Sequence, residues 1–339
     1  MKKQNKLKVM FKQLCGGMAA ALLLTGPSLA DYSAHPGAEA FVNKMVEKHN
    51  FDRDWVVSML KGAEPKQSIL DAMSRPAESV MTWGRYRKIF IQDSRVAQGA
   101  EFWQEHRTTL ARAEREYGVP ASMIVGIIGV ETRFGRNKGS YRVVDALATL
   151  GFDFPRRSTF FLGQLEEYML MVREQSFEPF ELKGSYAGAM GFGQFIPSSY
   201  RAYAVDFDGD GVVDIVNNPV DAIGSVANYF KRHGWRAGQP VVSGAVLKEN
   251  ADTSLFNAGL KPEKTVLQLS KAGIGSDRAL SPELKATAMR LDGDDGDEYW
   301  IGLPNFYVIT RYNHSAMYAM AAYQLSQLIE AKFNGVAGS

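Results

Sequence analysis

Apolar residues recur at helical spacing along most of this 339-residue chain, and the pattern changes to alternation only toward its C-terminal third. From Asp31 to Tyr117 the period is that of short amphipathic helices. Glu39–His49, Arg53–Lys61 and Lys66–Met73 are capped by Asp52 and Asp71 or ended by Gly62 and Pro76. A longer helix, Ala97–Tyr117, carries Phe102, Leu110 and Ala113 on one face, and the polar, aromatic stretch Trp83-Gly84-Arg85-Tyr86 precedes it, suited to packing between helices. Asp145–Leu150, Arg157–Gln175 and Pro219–His233 continue the helical series. Beyond Gly234 the segments Val241–Leu247, Lys285–Leu291, Glu298–Leu303 and Phe306–Thr310 read as short strands, with a helical insertion at Thr265–Ala272 and a hairpin turn at Asp292–Asp297. Tyr312-Asn313-His314-Ser315 then caps a last helix, Ala316–Lys332. The pattern predicts a mainly α protein with a small β subdomain (α+β), one body with subdomains. Its predicted divisions are a helical domain over 31–95, a core over 96–239, a β subdomain over 240–311 and a C-terminal helical segment over 312–339.

One stretch organises the rest. Pro120–Gly135 reads PASMIVGIIGVETRFG, with Pro120 suited to a helix start and Gly135 to a left-handed helix end. Met123–Val130 is apolar on every side, so this helix is predicted to be buried, and its two glycines permit close packing. Glu131 is the carboxylate at the end of that run. Burial and the negative end of the helix dipole both favour its neutral form, as a general acid for glycosidic cleavage requires. A carboxylate paired with Arg133 or Arg136 is the alternative reading of the same residues.

Residues 1–30 are predicted to be a cleavable export signal. Five lysines precede the short apolar run Gly16–Leu24, and Ser28-Leu29-Ala30 supplies small residues for cleavage. Removing it takes the formal charge from +2 to −3, which leaves nucleic acid without compositional support as a partner. The only cysteine, Cys15, leaves with the signal, so the remaining chain forms no disulfide. Cys15 follows Lys12-Gln13-Leu14 and precedes the apolar run, unlike a lipid-attachment cysteine, and no stable membrane anchor is expected.

Three further motifs carry chemistry. Lys183–Tyr203 reads KGSYAGAMGFGQFIPSSYRAY; its small residues allow close backbone approach, and Ser185 and Gln194 are polar groups suited to orienting an acid or binding an amide. Asp206–Asn217 reads DFDGDGVVDIVN, with Asp206, Asp208 and Asp210 at alternate positions before Gly211, and Val212 offering a backbone carbonyl. That is the front half of an EF-hand-like calcium loop over 206–217, and Asn217 stands where a bidentate glutamate is expected, with Asp214 and Asp221 as substitutes. Arg156 and Arg157 are adjacent at a helix start, where the dipole disfavours cations; they bind an anionic part of a substrate or face water.

With GVETRFG, FPRRSTFF, GSYAGAMGFGQFIPSSY, DFDGDG, DAIGSVANYF and ITRYNHSAMYAMA in one order, the chain strongly resembles the B family of lytic murein transglycosylases, from about Glu39 to Ala331. The resemblance implies a lysozyme-like catalytic core and cleavage of the β-1,4 bond between N-acetylmuramic acid and N-acetylglucosamine in peptidoglycan. It implies Glu131 as the single acid/base, with Ser185, Gln194, Tyr229, Tyr312, Asn313 and Tyr318 lining the cleft and Arg156 and Arg157 on the peptide stem or another anionic group. Structural Ca²⁺ would be held by Asp206, Asp208, Asp210 and Val212, with Asp221 as the distant carboxylate, and no organic cofactor is implied. The expected product is a 1,6-anhydromuramic acid end formed without water. A hydrolytic muramidase and a non-enzymatic, calcium-stabilised wall-binding protein are the alternatives. Without a lipobox the chain resembles the soluble branch of the family, so the expected place is the periplasm and the expected partners are glycan strands and other cell-wall enzymes.

Overall fold

The computed structural model describes residues 31–74 and 81–335; the predicted export signal and the Pro76 stop lie outside them. Six helices come first: α1 (Ala38–His49), α2 (Arg53–Gly62), α3 (Gln67–Ser74), α4 (Trp83–Phe90), α5 (Asp93–Glu105) and α6 (Arg107–Tyr117). The buried helix α7 (Ala121–Thr132) follows, then β1 (Tyr141–Arg142), α8 (Val143–Asp153), α9 (Ser158–Gln175), β2 (Lys183–Gly184), α10 (Pro197–Tyr203) and α11 (Pro219–Arg232). The small sheet contains β3 (Val242–Leu247), β4 (Lys264–Thr265), β5 (Ile274–Ser276), β6 (Lys285–Gly293) and β7 (Gly296–Gly302), with α12 (Val266–Lys271) inserted; α13 (Pro304–Tyr312) and α14 (Ala316–Phe333) close the chain. The five strands pair antiparallel in the order β4-β6-β7-β3-β5. This is a mainly helical, lysozyme-like fold with a small sheet.

One continuous apolar core runs from Tyr32 through α7 to Ile329, and the sheet has a second, smaller one around Leu269, Ile274 and Ile301. Every residue of α7 from Ala121 to Val130 is buried, as its unbroken apolar sequence requires. Its two glycines explain how α14 reaches it: a Cβ at Gly126 would stand 2.9 Å from the Ala322 carbonyl oxygen, and one at Gly129 would come within 3.2 Å of the Leu325 side chain. The α1–α9 contact is charged. On α9, burial would raise the Glu166 carboxyl, but hydrogen bonds from Lys44, Lys48 and His49 of α1 outweigh it and hold it at about 2.

Several expectations are corrected. Phe306–Thr310 is helical, inside α13, not a strand. Its β-branched and aromatic residues suit a strand, but Pro304 presets the first helical turn and Phe306, Val308 and Ile309 are buried in the main core. Ala97–Tyr117 is two helices: His106 breaks the run (φ −105°, ψ 24°) and packs on Phe102 at 4.4 Å. The break lets α5 pack on α7 and α14 while α6 packs on α11. Trp83–Tyr86 opens a helix, with Trp83 buried and its indole N–H donating to Glu298 at 3.1 Å. Asp71 lies inside α3 and accepts from Gln67 (2.9 Å); it caps nothing.

Candidate active site

Helix α7 stops at Thr132, three residues before Gly135, because Arg133, Phe134 and Gly135 are all left-handed (φ 51°, 59° and 80°). Non-glycine residues resist that region, and such strain concentrates where geometry serves function. Phe134 is held there by burial against Phe102 (5.7 Å). Thr132 ties the turn down, a role its sequence position did not advertise. Its hydroxyl donates to the Phe192 carbonyl at 2.9 Å and accepts the Gly135 N–H at 3.0 Å.

Glu131 therefore projects from the last turn of a buried helix, itself only partly exposed. The pairing with Arg133 or Arg136 does not form. Arg133 turns away to Gln98 (2.8 Å) and Ser94 (3.2 Å), and Arg136 is exposed. The partner is instead Tyr318 of α14, whose hydroxyl donates to Glu131 Oε1. Burial raises the Glu131 carboxyl from 4.5 to about 7, and the Tyr318 hydrogen bond opposes it only in part. Among the described residues no charged side chain pairs with Glu131 or contributes to that balance. The tyrosines respond in the same sense: burial and the Glu131 charge push the Tyr312 and Tyr318 hydroxyls well above their ordinary range, so both stay protonated donors.

The 185–195 loop meets α7 through Thr132 and α13 through Tyr312. Ser185 accepts the N–H groups of Ala187 (3.3 Å) and Ala189 (3.1 Å), which leaves its own proton free to donate. Gln194 is left-handed (φ 51°) and its amide donates to the Lys138 and Gly191 carbonyls at 3.2 and 3.0 Å, leaving its oxygen as an acceptor. Tyr312 donates to the Gly193 carbonyl at 2.5 Å, and a Cβ at Gly193 would come within 2.8 Å of that hydroxyl. Tyr229 is buried behind Tyr312 at a ring distance of 4.7 Å, its hydroxyl donated to the Arg311 carbonyl at 2.5 Å. It supports Tyr312 from behind. Asn313 is exposed at the α13 end.

Arg156 and Arg157 sit exposed in the 3-10 turn Pro155–Arg157 before α9. Arg157 lies over the Phe160 ring at 4.3 Å, and neither hydrogen-bonds a cleft residue among the described residues. The acidic loop does assemble. Carboxylate oxygens of Asp206, Asp208 and Asp210 lie within 4.8 Å of one another. No lysine or arginine pairs with any of the three among the described residues, so a hard dication fits the uncompensated charge. Gly209 and Gly211 supply the left-handed turns (φ 82° and 93°), and Asp206 collects the N–H groups of Gly209, Asp210 and Gly211. Val212 is exposed, and its N–H donates to Asp210 at 2.8 Å. Asp221 is outside that trio: fully buried, it accepts the N–H groups of Phe207 (2.7 Å) and Asp214 (2.8 Å) and clasps the loop from beneath. Asn217 donates its side-chain amide to Asp214 at 3.1 Å.

Comparison with known proteins identifies the family. The model of the transglycosylase SLT domain matches residues 33–327. Membrane-bound lytic murein transglycosylase B of Escherichia coli K12 is 48% identical over 308 residues, covering 88% of this chain and 84% of that protein. Among solved structures, soluble lytic transglycosylase SltB1 from Pseudomonas aeruginosa is 55% identical with a TM-score of 0.85, covering 88% of this chain and all of that one. An Escherichia coli lytic transglycosylase solved in complex with calcium is 48% identical with a TM-score of 0.82, covering 90% of this chain and 96% of that one. SltB3 from Pseudomonas aeruginosa, solved with NAG-NAM-pentapeptide, is 31% identical with a TM-score of 0.78, covering 86% of this chain and 78% of that one. Among the described residues no helix is long and apolar enough to cross a membrane. A domain match over residues 33–327 and a relative 48% identical over most of both chains place the chain in the B family of lytic murein transglycosylases, which cleave peptidoglycan.

Proposed function

We propose that Glu131 is the single acid/base of a non-hydrolytic cleavage of the muramic acid–glucosamine β-1,4 bond. The observation that carries this reading is a carboxyl held at about 7 by burial, hydrogen-bonded to a tyrosine and paired with no charged side chain among the described residues. Glycosidases that work on two carboxylates need both within about 10 Å of each other, and substrate-assisted enzymes are the exception. Glu131 donates its proton to the glycosidic oxygen as the C1–O bond breaks, while the muramic acid's own N-acetyl oxygen bonds to C1. The Glu131 carboxylate then takes the C6 hydroxyl proton, O6 bonds to C1 as the acetyl oxygen departs, and the 1,6-anhydro ring closes. Glu131 ends protonated, and no water is consumed. The C6 hydroxyl outcompetes water because an intramolecular group enjoys a large effective concentration.

Ser185, Gln194, Tyr312 and Asn313 would contact the sugars, with Tyr229 behind Tyr312 and Tyr318 setting the proton affinity of Glu131. Arg156 and Arg157 would hold an anionic part of the substrate; a relative solved with a pentapeptide-bearing disaccharide supports ligands of that kind. Asp206, Asp208, Asp210 and the Val212 carbonyl would hold a structural Ca²⁺, with Asp221 ordering the loop below. The calcium complex of a 48% identical relative supports that ion. Export to the periplasm by residues 1–30 completes the reading.

Mass spectrometry of digested peptidoglycan tests it. Anhydro ends lighter by one water than reducing ends are expected. Reducing ends would make the chain a hydrolytic muramidase, and uncut glycan would leave a wall-binding protein.

A further inference from the structure

Between the small sheet and the turn joining α13 to α14 lies a cavity of about 270 Å³ that the chemistry at Glu131 does not use. Its floor is apolar: Leu269, Ala286 and Ala288 belong to the core of the sheet. Its rim is cationic. Lys261 and Lys264 are exposed there, with His314 at the side toward α14, and neither lysine has an ion-pair partner among the described residues. Lys285, paired with Thr265 across the β4–β6 ladder, donates to the Glu263 backbone carbonyl at 3.1 Å, not to a carboxylate. Among the described lining residues Glu263 is the one acid, so the opening carries an excess of positive charge over an apolar floor.

Its place in the chain gives that combination a use. His314 lines the cavity, Tyr312 two residues before it donates to Gly193, and Tyr318 four residues after it donates to Glu131. The Cα atoms of His314 and Tyr318 are thus at most ~15 Å apart. A peptide stem of three to five residues reaches about 10–17 Å when extended. The stem hangs from the muramic acid whose C1 must sit at Glu131, and it combines carboxylates with alanyl methyl groups.

The geometry points to this cavity as a subsite for the acidic peptide stem, its carboxylates on Lys261 and Lys264 and its methyl groups on the apolar floor. This rests on the reading of Glu131 above. It is separate from Arg156 and Arg157; each muramic acid on a strand carries a stem, so the two places can serve different ones.

The test uses the full chain and Lys261→Glu/Lys264→Glu, a pair of exposed positions where folding is checked by thermal melting. kcat/KM is measured on stem-bearing glycan and on glycan stripped of stems by an amidase. Binding of free stem pentapeptide is measured by calorimetry in a Glu131→Gln background. Exposed charges interact weakly, so the expected effect of reversing both is about a fivefold fall in the ratio of the two kcat/KM values, with pentapeptide affinity weakened by a similar factor. A ratio that does not move, or pentapeptide binding that is absent or unaltered by the substitutions, overturns the subsite. Wild-type cleavage of stem-bearing glycan by Glu131→Gln overturns the Glu131 reading instead, so the two failures are told apart.

Discussion

Glu131→Gln separates the electrostatics of this site from its shape. Glutamine keeps the volume and still accepts the Tyr318 hydroxyl, but cannot ionise. In the folded chain the Glu131 carboxyl is raised to about 7 from the ordinary 4.5, so between those values the folded state holds a proton that the unfolded state releases. Folding stability from this group is therefore fully present below about 4.5, falls as pH rises, and is lost above about 7. The full difference amounts to at most about 3 kcal/mol, and the residue's partial exposure makes the true figure smaller. At pH 8 the wild type bears this penalty and Glu131→Gln does not, so the variant should melt higher, by less than about 5 °C for a chain of this size. At pH 4 to 4.5 the two should melt together. The same variant should lose at least ~10²-fold in peptidoglycan cleavage. Wild-type kcat/KM should fall as pH rises through about 7, where the acid form is lost. Calorimetric melts from pH 4 to 8 and turbidity assays over the same range read all of this. Parallel melting curves for the two proteins, or wild-type activity in the variant, would refute the reasoning.

Further outcomes are expected. Tyr318→Phe removes the hydrogen bond that lowers the Glu131 carboxyl, so the alkaline limb of the pH–rate profile should move to higher pH; a limb that stays in place removes Tyr318 from the site. Chelation of Ca²⁺ should lower the melting temperature by an amount that grows with RT ln(1 + [L]/Kd), and Asp206→Ala/Asp210→Ala should abolish the response. A response that survives in the double variant places the ion elsewhere. Arg156→Ala/Arg157→Ala should leave melting unchanged and weaken turnover of stem-bearing chains, with charge-assisted contacts each contributing about 1.5–3 kcal/mol. Equal losses with and without stems would rule out stem recognition and leave the pair a structural role.

The sequence by itself determined what depends on local order. An apolar run between Pro120 and Gly135 marks a buried helix, so α7 and the place of Glu131 at its end were readable, as was the β6–β7 hairpin turn from its glycines and aspartates. Alternate aspartates before a glycine brought three carboxylates together because a tight turn leaves them nowhere else to go. Tertiary structure decided what depends on which surfaces meet. Phe306–Thr310 has strand propensity, but burial against the main core made it a helix, and divergent packing partners bent the chain at His106. The direction of Arg133 followed from its left-handed backbone and from Gln98 on another helix. The environment of Glu131 came from a tyrosine 187 residues away, carried in by a helix that two glycines allow close. A carboxyl's proton affinity is set by everything that surrounds it, and that surrounding exists only once α7 and α14 have packed.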